Sequence, residues 1–188
     1  MIRQQMFSHF YEQQALDIID RIYELAPDDL EVGEGSGGDK HNERKGDIGW
    51  IMPNDDNRDL FEKMFEFMAS ANEGSAWHFD VQFLEPLQFT KYGSNQKYDW
   101  HVDQMMHVLE ENCRKISFSL LLNDPSEFEG GELQIEVGSP SNPERIHTVE
   151  LKKGDVVFFP SYLWHRVTPV TKGERHSLVG WFTGPTWR

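Results

Sequence analysis

The sequence predicts a mainly β domain of the sandwich or jelly-roll type, with helices confined to its N-terminal third. From Trp77 onward, short apolar or alternating segments are separated by turns rich in glycine, proline and asparagine, whereas helical periodicity occurs only before that point. The thirteen phenylalanines and six tryptophans suit the interior of a β-rich fold. Because the 188 residues contain no repeat, we expect a single domain over 1–188, with helical support over 1–76 and the jelly-roll core over 77–188.

Two segments of the N-terminal third have apolar residues at helical spacing. The first covers about 11–26, and Ser8 is a candidate cap for its start. The second covers about 56–71, where Asn54 or Asp55 is positioned to cap it. The second segment carries a stripe of phenylalanine and methionine, which is typical of core packing and predicts no chemistry.

Residues 31–49 separate the two predicted helices and are dominated by glycine and charged residues. This composition predicts a mobile loop. No Gly-Lys-Ser/Thr sequence follows the glycines, which excludes a phosphate-binding loop of the common type. Two interpretations stay open, namely a lid over an active site and a surface loop without a catalytic role.

The C-terminal two thirds contain nine candidate strands, each bounded by turn residues. They cover residues 77–84, 87–92, 97–103, 115–122, 132–137, 146–151, 155–159, 164–170 and 175–183.

The formal net charge of −14 excludes a general nucleic-acid binder, because such proteins need a basic surface to displace counterions. The single cysteine, Cys113, permits no intramolecular disulfide, as is usual in a reducing compartment. The first ten residues lack the apolar core of a signal peptide, and no apolar run approaches membrane-spanning length. We therefore expect a cytoplasmic protein with no membrane partner, and the sequence leaves its oligomeric state open.

Three side chains form a candidate metal site. His101 and Asp103 lie two residues apart at a predicted strand end, so both point to the same face, and His165 lies on a later strand. Two imidazoles and one carboxylate can occupy one face of an octahedral metal ion and leave three positions open, as in non-haem Fe(II) oxygenases. Each piece alone is a weak signal, and a lone histidine is more often packed and hydrogen-bonded. The ordered set within a β-rich frame carries the prediction.

Arg175 follows His165 by ten positions, across a turn, and is predicted on the next strand. By strand alternation it shares one face with Ser177, Val179 and Trp181. An inward arginine is costly unless an anion neutralises it, and its planar fork matches a carboxylate. A dicarboxylic acid is one candidate for that anion. An internal salt bridge is the alternative, since the chain has 32 acidic residues.

Six segments together resemble the 2-oxoglutarate/Fe(II) dioxygenases, in the prolyl 4-hydroxylase branch. The resemblance extends over about 85–183 and lies in the segments 92–103, 116–123, 130–133 (Gly-Gly-Glu-Leu), 153–160, 164–170 and 173–182.

This resemblance implies the double-stranded β-helix, the jelly roll that cupins also use. It implies that His101, Asp103 and His165 are the catalytic residues that bind Fe(II), and that Arg175 pairs with the C5 carboxylate of 2-oxoglutarate. The family usually adds a tyrosine hydroxyl from the strand before His-x-Asp, and Tyr92 occupies that position.

Further cofactor-binding residues follow from the same resemblance. Trp181 matches the family's aromatic residue six positions after the arginine. Where some relatives carry a second tyrosine, this chain has Leu121, and Ser119 or Ser117 is the expected substitute for the missing hydroxyl.

Two aromatic residues near the metal entry, Tyr98 and Trp100, are candidates for substrate contact, and aromatic packing at the barrel mouth is an equal alternative. His107 follows Asp103 by four positions, but a fourth ligand would block oxygen, so we assign it to a loop or to a supporting role. His176 alternates away from its neighbour Arg175 and is expected to point out of the barrel.

The resemblance implies Fe(II), 2-oxoglutarate and O2, with ascorbate as an accessory reductant. In such enzymes oxidative decarboxylation of 2-oxoglutarate to succinate and carbon dioxide is coupled to hydroxylation of an unactivated C–H bond. Related halogenases replace the ligand carboxylate with a small residue, so Asp103 favours hydroxylation.

Three functional hypotheses follow. The leading one is a hydroxylase of peptidyl proline, and the second keeps the cofactors but takes a free amino acid or another small molecule. The third is a cupin-like metal- or ligand-binding module without turnover, which Arg175 argues against, because a simple binder needs no clamp for a dicarboxylate. A nucleic-acid demethylase is disfavoured by the net charge.

Overall fold

A computed structural model describes residues 8–11, 13–33, 44–104, 111–139 and 141–186, with the side chains described from residue 15 onward. Two helices, α1 (Gln13–Leu25) and α2 (Arg58–Gly74), precede most of the strands, and short 3-10 turns lie at Asp55–Asn57 and Pro125–Glu127. The strands are β1 (Ser8–Tyr11), β2 (Glu31–Val32), β3 (Arg44–Lys45), β4 (Asp47–Ile51), β5 (Phe83–Leu84), β6 (Leu87–Tyr92), β7 (Lys97–His101), β8 (Asn112–Leu121), β9 (Phe128–Gly130), β10 (Leu133–Glu136), β11 (Ile146–Val149), β12 (Asp155–Pro160), β13 (His165–Val167), β14 (Val170–Gly173) and β15 (Arg175–Pro185).

The described strands form two main antiparallel sheets. The major sheet has the order β1-β12-β8-β15-β6-β4-β2, with β5 pairing on β15, and the minor sheet has the order β11-β10-β13-β7-β3. A two-stranded ribbon of β14 and β9 lies outside both. Most neighbours in these sheets are distant in sequence, as rolling the chain into a jelly roll requires. The predicted mainly β jelly roll with N-terminal helices is therefore confirmed.

The major sheet separates two apolar cores, because its strands alternate. On β15, Leu178 and Phe182 face a large core that α1 and α2 cover with residues such as Ile19, Met64 and Phe67. A smaller core lies between the two sheets and contains Leu133, Ile135, Val149, Val157, Phe159 and Leu163. The phenylalanine and methionine stripe of α2 is thus core, as predicted.

The helices agree with the sequence prediction to within three residues at each end. Asn54 caps the helical segment that leads into α2, since its side chain accepts hydrogen bonds from the backbone N–H of Asp56 and Asn57. The predicted cap at Ser8 is wrong, because Ser8 begins β1 and pairs with Phe158 of β12.

The predicted loop over 31–49 is wrong at both of its ends. Residues 31–32, 44–45 and 47–49 belong to β2, β3 and β4, whereas residues 34–43 lie outside the described part of the chain. β2 and β3 are edge strands and β4 lies next to an edge, so the side-chain pattern that predicts a strand is weak there.

Two other predicted strands differ in extent. Of 77–84, only Phe83 and Leu84 are strand, because the chain takes positive φ values at Ala76 and His78, 54° and 52°, which are incompatible with an extended run. The segment 164–170 divides between β13 and the start of β14, which lie in different sheets. No helix among the described residues is long and apolar enough to cross a membrane.

Candidate functional site

A cavity opens between the two sheets, and most of the predicted site residues line it. The predicted residues in its wall are Tyr92, Tyr98, His101, Asp103, Ser119, His165, Arg175, Ser177, Val179 and Trp181. Apolar side chains from both sheets, including Leu133, Phe159 and Val167, complete much of the wall.

His101 and His165 lie side by side because β7 and β13 are neighbours in the minor sheet and these two residues are paired in register. Their ring centroids are 4.1 Å apart. Asp103 follows the end of β7, and the three residues offer ligand atoms that all lie within 4.8 Å of one another. All three are buried. The convergence predicted from the sequence is present in the structure.

Backbone carbonyls orient both imidazoles. Nδ1 of His101 donates to the carbonyl of Asp99 at 2.7 Å, and Nδ1 of His165 donates to the carbonyl of Leu163 at 2.9 Å. The Nε2 atoms are therefore left to face Asp103, at 3.6 Å from Oδ1 and 3.3 Å from Oδ2 respectively. A ring that donates through Nδ1 presents the lone pair of Nε2, which is the form that binds a metal.

Asp103 is held by the centre of the major sheet. Ser117 on β8 donates its hydroxyl hydrogen to Oδ2 of Asp103 at 2.7 Å, and Ser161 in turn donates to Ser117 at 2.9 Å. The backbone N–H of Asp103 donates to the carbonyl of Ser161 at 3.0 Å. Ser117 therefore supports the carboxylate of Asp103 rather than substituting for a hydroxyl near Arg175.

The three groups influence one another's protonation. Burial lowers the pKa of His101 to about 3, so its ring is neutral. Burial alone would raise the pKa of Asp103, but His165 and the hydrogen bond from Ser117 hold it well below its ordinary value. Burial alone would lower the pKa of His165, and the neighbouring Asp103 carboxylate raises it. The Asp103 carboxylate and the His165 imidazole therefore attract the same proton. A divalent ion bound to both groups can take the place of that proton.

Arg175, 2% exposed, lies in the wall of the same cavity, and its Nη1 donates to the hydroxyl of Ser177 at 2.9 Å. No carboxylate among the described residues pairs with it, so the internal salt bridge considered from the sequence is not found there. Burial lowers the pKa of Arg175 to about 10, which still leaves it charged at neutral pH. Such a buried and unpaired guanidinium calls for an anionic ligand.

Tyr92 is paired in register with Arg175, since β6 lies beside β15. Burial raises the pKa of the Tyr92 hydroxyl, although Arg44 and Arg175 both act to lower it, so the phenol remains a neutral donor. Gly46 packs against the Tyr92 ring so closely that a Cβ there would lie 2.5 Å from Cε1. Gly46, which connects β3 to β4, thus holds this ring in place.

The other predicted cofactor residues differ in their contacts. Ser119 and Trp181 both line the cavity, and the buried indole N–H of Trp181 has no hydrogen-bond partner in the described part of the chain. Leu121 lines a neighbouring cavity of about 360 Å³ that shares Arg175 with the first. Ser177 bonds the guanidinium, so it supplies the hydroxyl near Arg175 that the sequence prediction assigned to Ser119 or Ser117.

The two candidate substrate residues, both on β7, lie on different sides of the minor sheet. Tyr98 lines the cavity and stacks on His101 with ring centroids 3.5 Å apart. Trp100 is not among the lining residues and instead packs under the guanidinium of Arg166, 4.7 Å from its ring centroid. Strict alternation would place Tyr98 and Trp100 on one face, but the pairing of β7 with β13 shifts register between Tyr98 and His101, and this irregularity leaves only Trp100 away from the cavity.

The two other histidines considered in the sequence analysis have different outcomes. His176 points away from the cavity, as predicted, and its Nδ1 lies 2.9 Å from the hydroxyl of Tyr23 on α1. It therefore ties the helix to β15. His107 lies outside the described residues.

Two polar residues of the cavity were not predicted from the sequence. Arg44 on β3 and Gln88 on β6 line the wall, and Nη2 of Arg44 donates to Oε1 of Gln88. Arg44 lies within the segment that we predicted as a loop, and a single arginine beside Lys45 carries no pattern that would single it out.

The residues fit the two groups that the resemblance implies. Two nitrogens and one carboxylate within reach of a single ion suit Fe(II) and leave coordination positions free. The unpaired Arg175 and the free indole N–H of Trp181 are buried donors in the same cavity, and an acidic co-substrate would satisfy them.

Comparisons with known proteins agree with this chemistry. The sequence profile of the family described as the 2OG-Fe(II) oxygenase superfamily matches residues 87–183, slightly more than half of the chain. A protein named PKHD-type hydroxylase from Cupriavidus metallidurans is 36% identical over 100 residues, which cover 51% of this chain and 42% of that protein. The match thus spans less than half the length of this curated relative.

Solved structures share the fold. A prolyl-4-hydroxylase from Pseudomonas putida has a TM-score of 0.67 at 22% identity, covering 94% of this chain and 91% of that one. A prolyl hydroxylase from Trichoplax adhaerens, in complex with a hypoxia inducible factor oxygen degradation domain peptide fragment, has a TM-score of 0.67 at 15% identity and covers 94% of this chain and 83% of that one. At these identities the likeness concerns the fold.

Proposed function

The chain belongs to the 2OG-Fe(II) oxygenase superfamily, and on that premise we propose that it is a 2-oxoglutarate-dependent dioxygenase that hydroxylates an unactivated C–H bond. The observation that carries this proposal is the buried, unpaired Arg175 in the same cavity as His101, Asp103 and His165. A module that only stored metal would have no use for this guanidinium, which argues against the non-catalytic cupin-like alternative.

In this proposal each residue has a stated role. His101, Asp103 and His165 hold Fe(II), and Arg175 with Tyr92 holds the C5 carboxylate of 2-oxoglutarate. Ser119 and Trp181 contribute to the co-substrate wall, where the indole N–H of Trp181 is a free donor. Fe(II) with 2-oxoglutarate and O2 supplies the oxidising chemistry, in which one oxygen atom enters succinate and the other enters the product.

The chain's own residues orient these groups and exclude water. The carbonyls of Asp99 and Leu163 fix the tautomer of both imidazoles, and Ser117 holds the carboxylate of Asp103. Apolar side chains keep the cavity dry, which strengthens the electrostatic contacts of Arg175 and protects a reactive centre from side reactions.

For the substrate, we favour a peptidyl proline. The support is the fold shared with prolyl hydroxylases, one of them solved with a peptide fragment. A free amino acid or another small molecule is the alternative, because Tyr98 is the one predicted substrate residue that lines the cavity and its ring suits either class. We expect ascorbate to sustain turnover as an added reductant.

The test is succinate formation by the purified protein with Fe(II), 2-oxoglutarate and ascorbate, with and without a proline-containing peptide pool. We expect succinate release that peptide stimulates, and mass spectrometry to find a 16-Da addition to products, the mass of one oxygen atom. His165→Ala should abolish activity and metal binding, and Arg175→Gln should raise the 2-oxoglutarate requirement about tenfold or more, as expected when a buried charged contact is lost.

Two results would contradict the proposal. One is full turnover by His165→Ala, and the other is an unchanged 2-oxoglutarate requirement in Arg175→Gln. Circular dichroism of both variants serves as the folding control. If free amino acids are hydroxylated and no peptide is, the oxygenase assignment stands and the alternative substrate class replaces peptidyl proline.

A further inference from the structure

A second arginine lines the cavity and has no anionic partner among the described residues. Arg44 reaches from β3, at the edge of the minor sheet, to Gln88 on the major sheet. Its contacts are a side-chain amide, the Tyr92 hydroxyl and the Tyr98 ring, whose centroid lies 4.9 Å from the guanidinium carbon. Its Nε is buried without a hydrogen-bond partner. Within the described parts of the chain, no carboxylate forms an ion pair with Arg44.

Charge balance in the cavity makes this arginine unusual. Fe(II), the Asp103 carboxylate and the Arg175 guanidinium together leave two positive charges, which the two carboxylates of 2-oxoglutarate neutralise. Arg44 then adds one positive charge that nothing in this set offsets. Arg44 is partly buried and its Nε is shielded from water, so an anionic group that reaches this guanidinium in the filled cavity would be stabilised by it.

The contacts of Arg44 place that surplus charge between the Tyr92 hydroxyl and the metal ligands. The Tyr98 ring that Arg44 covers is the ring that stacks on His101 at 3.5 Å. Arg44 is therefore one aromatic ring away from a proposed iron ligand. Arg175, by contrast, bonds Ser177. A group bound at Arg44 would consequently lie close to the carbon that reacts.

We propose that Arg44 binds a carboxylate of the primary substrate, next to the carbon that is hydroxylated. This inference rests on the proposed function and narrows its substrate class to acidic molecules. The carboxylate belongs either to an acidic residue beside the target in a peptide or to the α-carboxylate of a free amino acid. The guanidinium fork supplies the charge and two N–H donors, and Gln88 holds it in position.

The first experiment measures binding without turnover. The protein is loaded anaerobically with Fe(II) and saturating 2-oxoglutarate and titrated by calorimetry with N-acetyl-L-proline and, separately, with its amide. We expect the wild type to prefer the carboxylate about tenfold or more, as one charge-assisted contact would provide. Arg44→Gln should abolish the preference, and Arg44→Lys should retain part of it. Arg145→Gln, which removes a charge paired with Glu136 outside the cavity, should retain all of it.

A second measurement separates the two acids that the cavity would hold. Arg44→Gln should leave the dissociation constant of 2-oxoglutarate within about twofold of the wild type, whereas Arg175→Gln should raise it about tenfold or more. If Arg44→Gln weakens 2-oxoglutarate as strongly as Arg175→Gln does, Arg44 serves the co-substrate and the proposal is wrong. A wild type that binds the acid and the amide equally would also overturn it.

The source of the carboxylate is identified by turnover. Peptide pools that differ only in Glu versus Gln and Asp versus Asn beside proline form one arm, and L-proline versus L-prolinamide forms the other. The acidic member should be hydroxylated preferentially in one arm, and Arg44→Glu should abolish that preference because it replaces the cation with an anion. Absence of succinate under every condition would contradict the proposed function, whereas the anaerobic titration would still decide the role of Arg44.

Discussion

The imidazole rings of the site depend on two backbone carbonyls for their orientation. Each histidine donates Nδ1–H to the carbonyl of the residue two positions earlier, Asp99 for His101 and Leu163 for His165. Because these acceptors are main-chain atoms, no particular side chain is needed at either position. The ligand tautomer is therefore determined by backbone geometry at the strand ends, which also explains why His-x-Asp is a weak signal on its own.

The carboxylate of Asp103 depends instead on one side chain, and this gives a prediction at the residue scale. Ser117→Ala removes the hydroxyl that donates to Oδ2 of Asp103. We expect metal affinity to fall about 10- to 100-fold, the range typical for loss of a group that orients a metal ligand. Titration with Fe(II) under anaerobic conditions measures this.

Ser119→Ala is the matched control for that substitution. Ser119 lies two residues further along the same strand and lines the cavity, but Ser117 is the serine that bonds Asp103. Its loss should leave Fe(II) affinity unchanged. Equal weakening by both variants would show that the Ser117 hydroxyl does not orient the ligand.

At the scale of elements, the turn between β9 and β10 supports Arg175. Gly130 and Gly131 both adopt positive φ, 76° and 65°, which glycine tolerates best. A Cβ on Gly131 would lie 3.0 Å from Cδ of Arg175 and 3.0 Å from Cγ2 of Val170. The Gly-Gly-Glu-Leu segment quoted in the family resemblance is thus part of the wall against which the arginine packs.

Gly131→Ala should therefore weaken 2-oxoglutarate binding as well as stability. The left-handed backbone costs a non-glycine residue about 1–2 kcal/mol, and the contact with Arg175 displaces the guanidinium in addition. We expect a several-fold higher dissociation constant for 2-oxoglutarate, measured by calorimetry. Gly154→Ala is the control, since Gly154 also has positive φ, 86°, but packs against Leu16. If both variants lose the same affinity, the turn does not act through Arg175.

In the whole molecule, one face of the major sheet packs against the helices and the other face carries site residues. Its helix-covered face carries Phe118, Leu178 and Phe182, and its inner face carries Arg175 and Ser117. Alternation along single strands produces both faces. The buried charges of the inner face are destabilising until ligands pair with them, so ligand binding and folding are linked.

This linkage predicts a ligand-dependent melting temperature. With Fe(II) already bound, 2-oxoglutarate at about 100 times its dissociation constant should stabilise the fold by about a further 2.7 kcal/mol. For a domain of this size that corresponds to a rise of about 5–10 °C in an anaerobic thermal melt. The C5 amide of 2-oxoglutarate should give a much smaller rise, because it cannot neutralise Arg175. Equal rises for the acid and the amide would show that the guanidinium does not bind the C5 carboxylate.

Much of the site could be predicted because strand alternation is a local property. Arg175, Ser177, Val179 and Trp181 were predicted to share one face, and all four line the cavity. The same rule sends His176 to the other face, where it meets Tyr23. These inferences need only the spacing of residues within one strand, because successive side chains of a strand point to opposite faces whatever strand lies beside it.

The sequence by itself determined the fold class, the candidate metal ligands and the arginine. Periodicity and short spacings are read within a single strand, and the ordered motifs shared with the dioxygenase family link His165 to the pair at 101 and 103. Only the tertiary structure decided that Ser117 serves Asp103, that Trp100 lies away from the cavity and that Arg44 lines it. These facts depend on which strands become neighbours. In a jelly roll those neighbours are far apart in sequence, and edge strands such as β3 pair through backbone atoms that leave no pattern in the side chains.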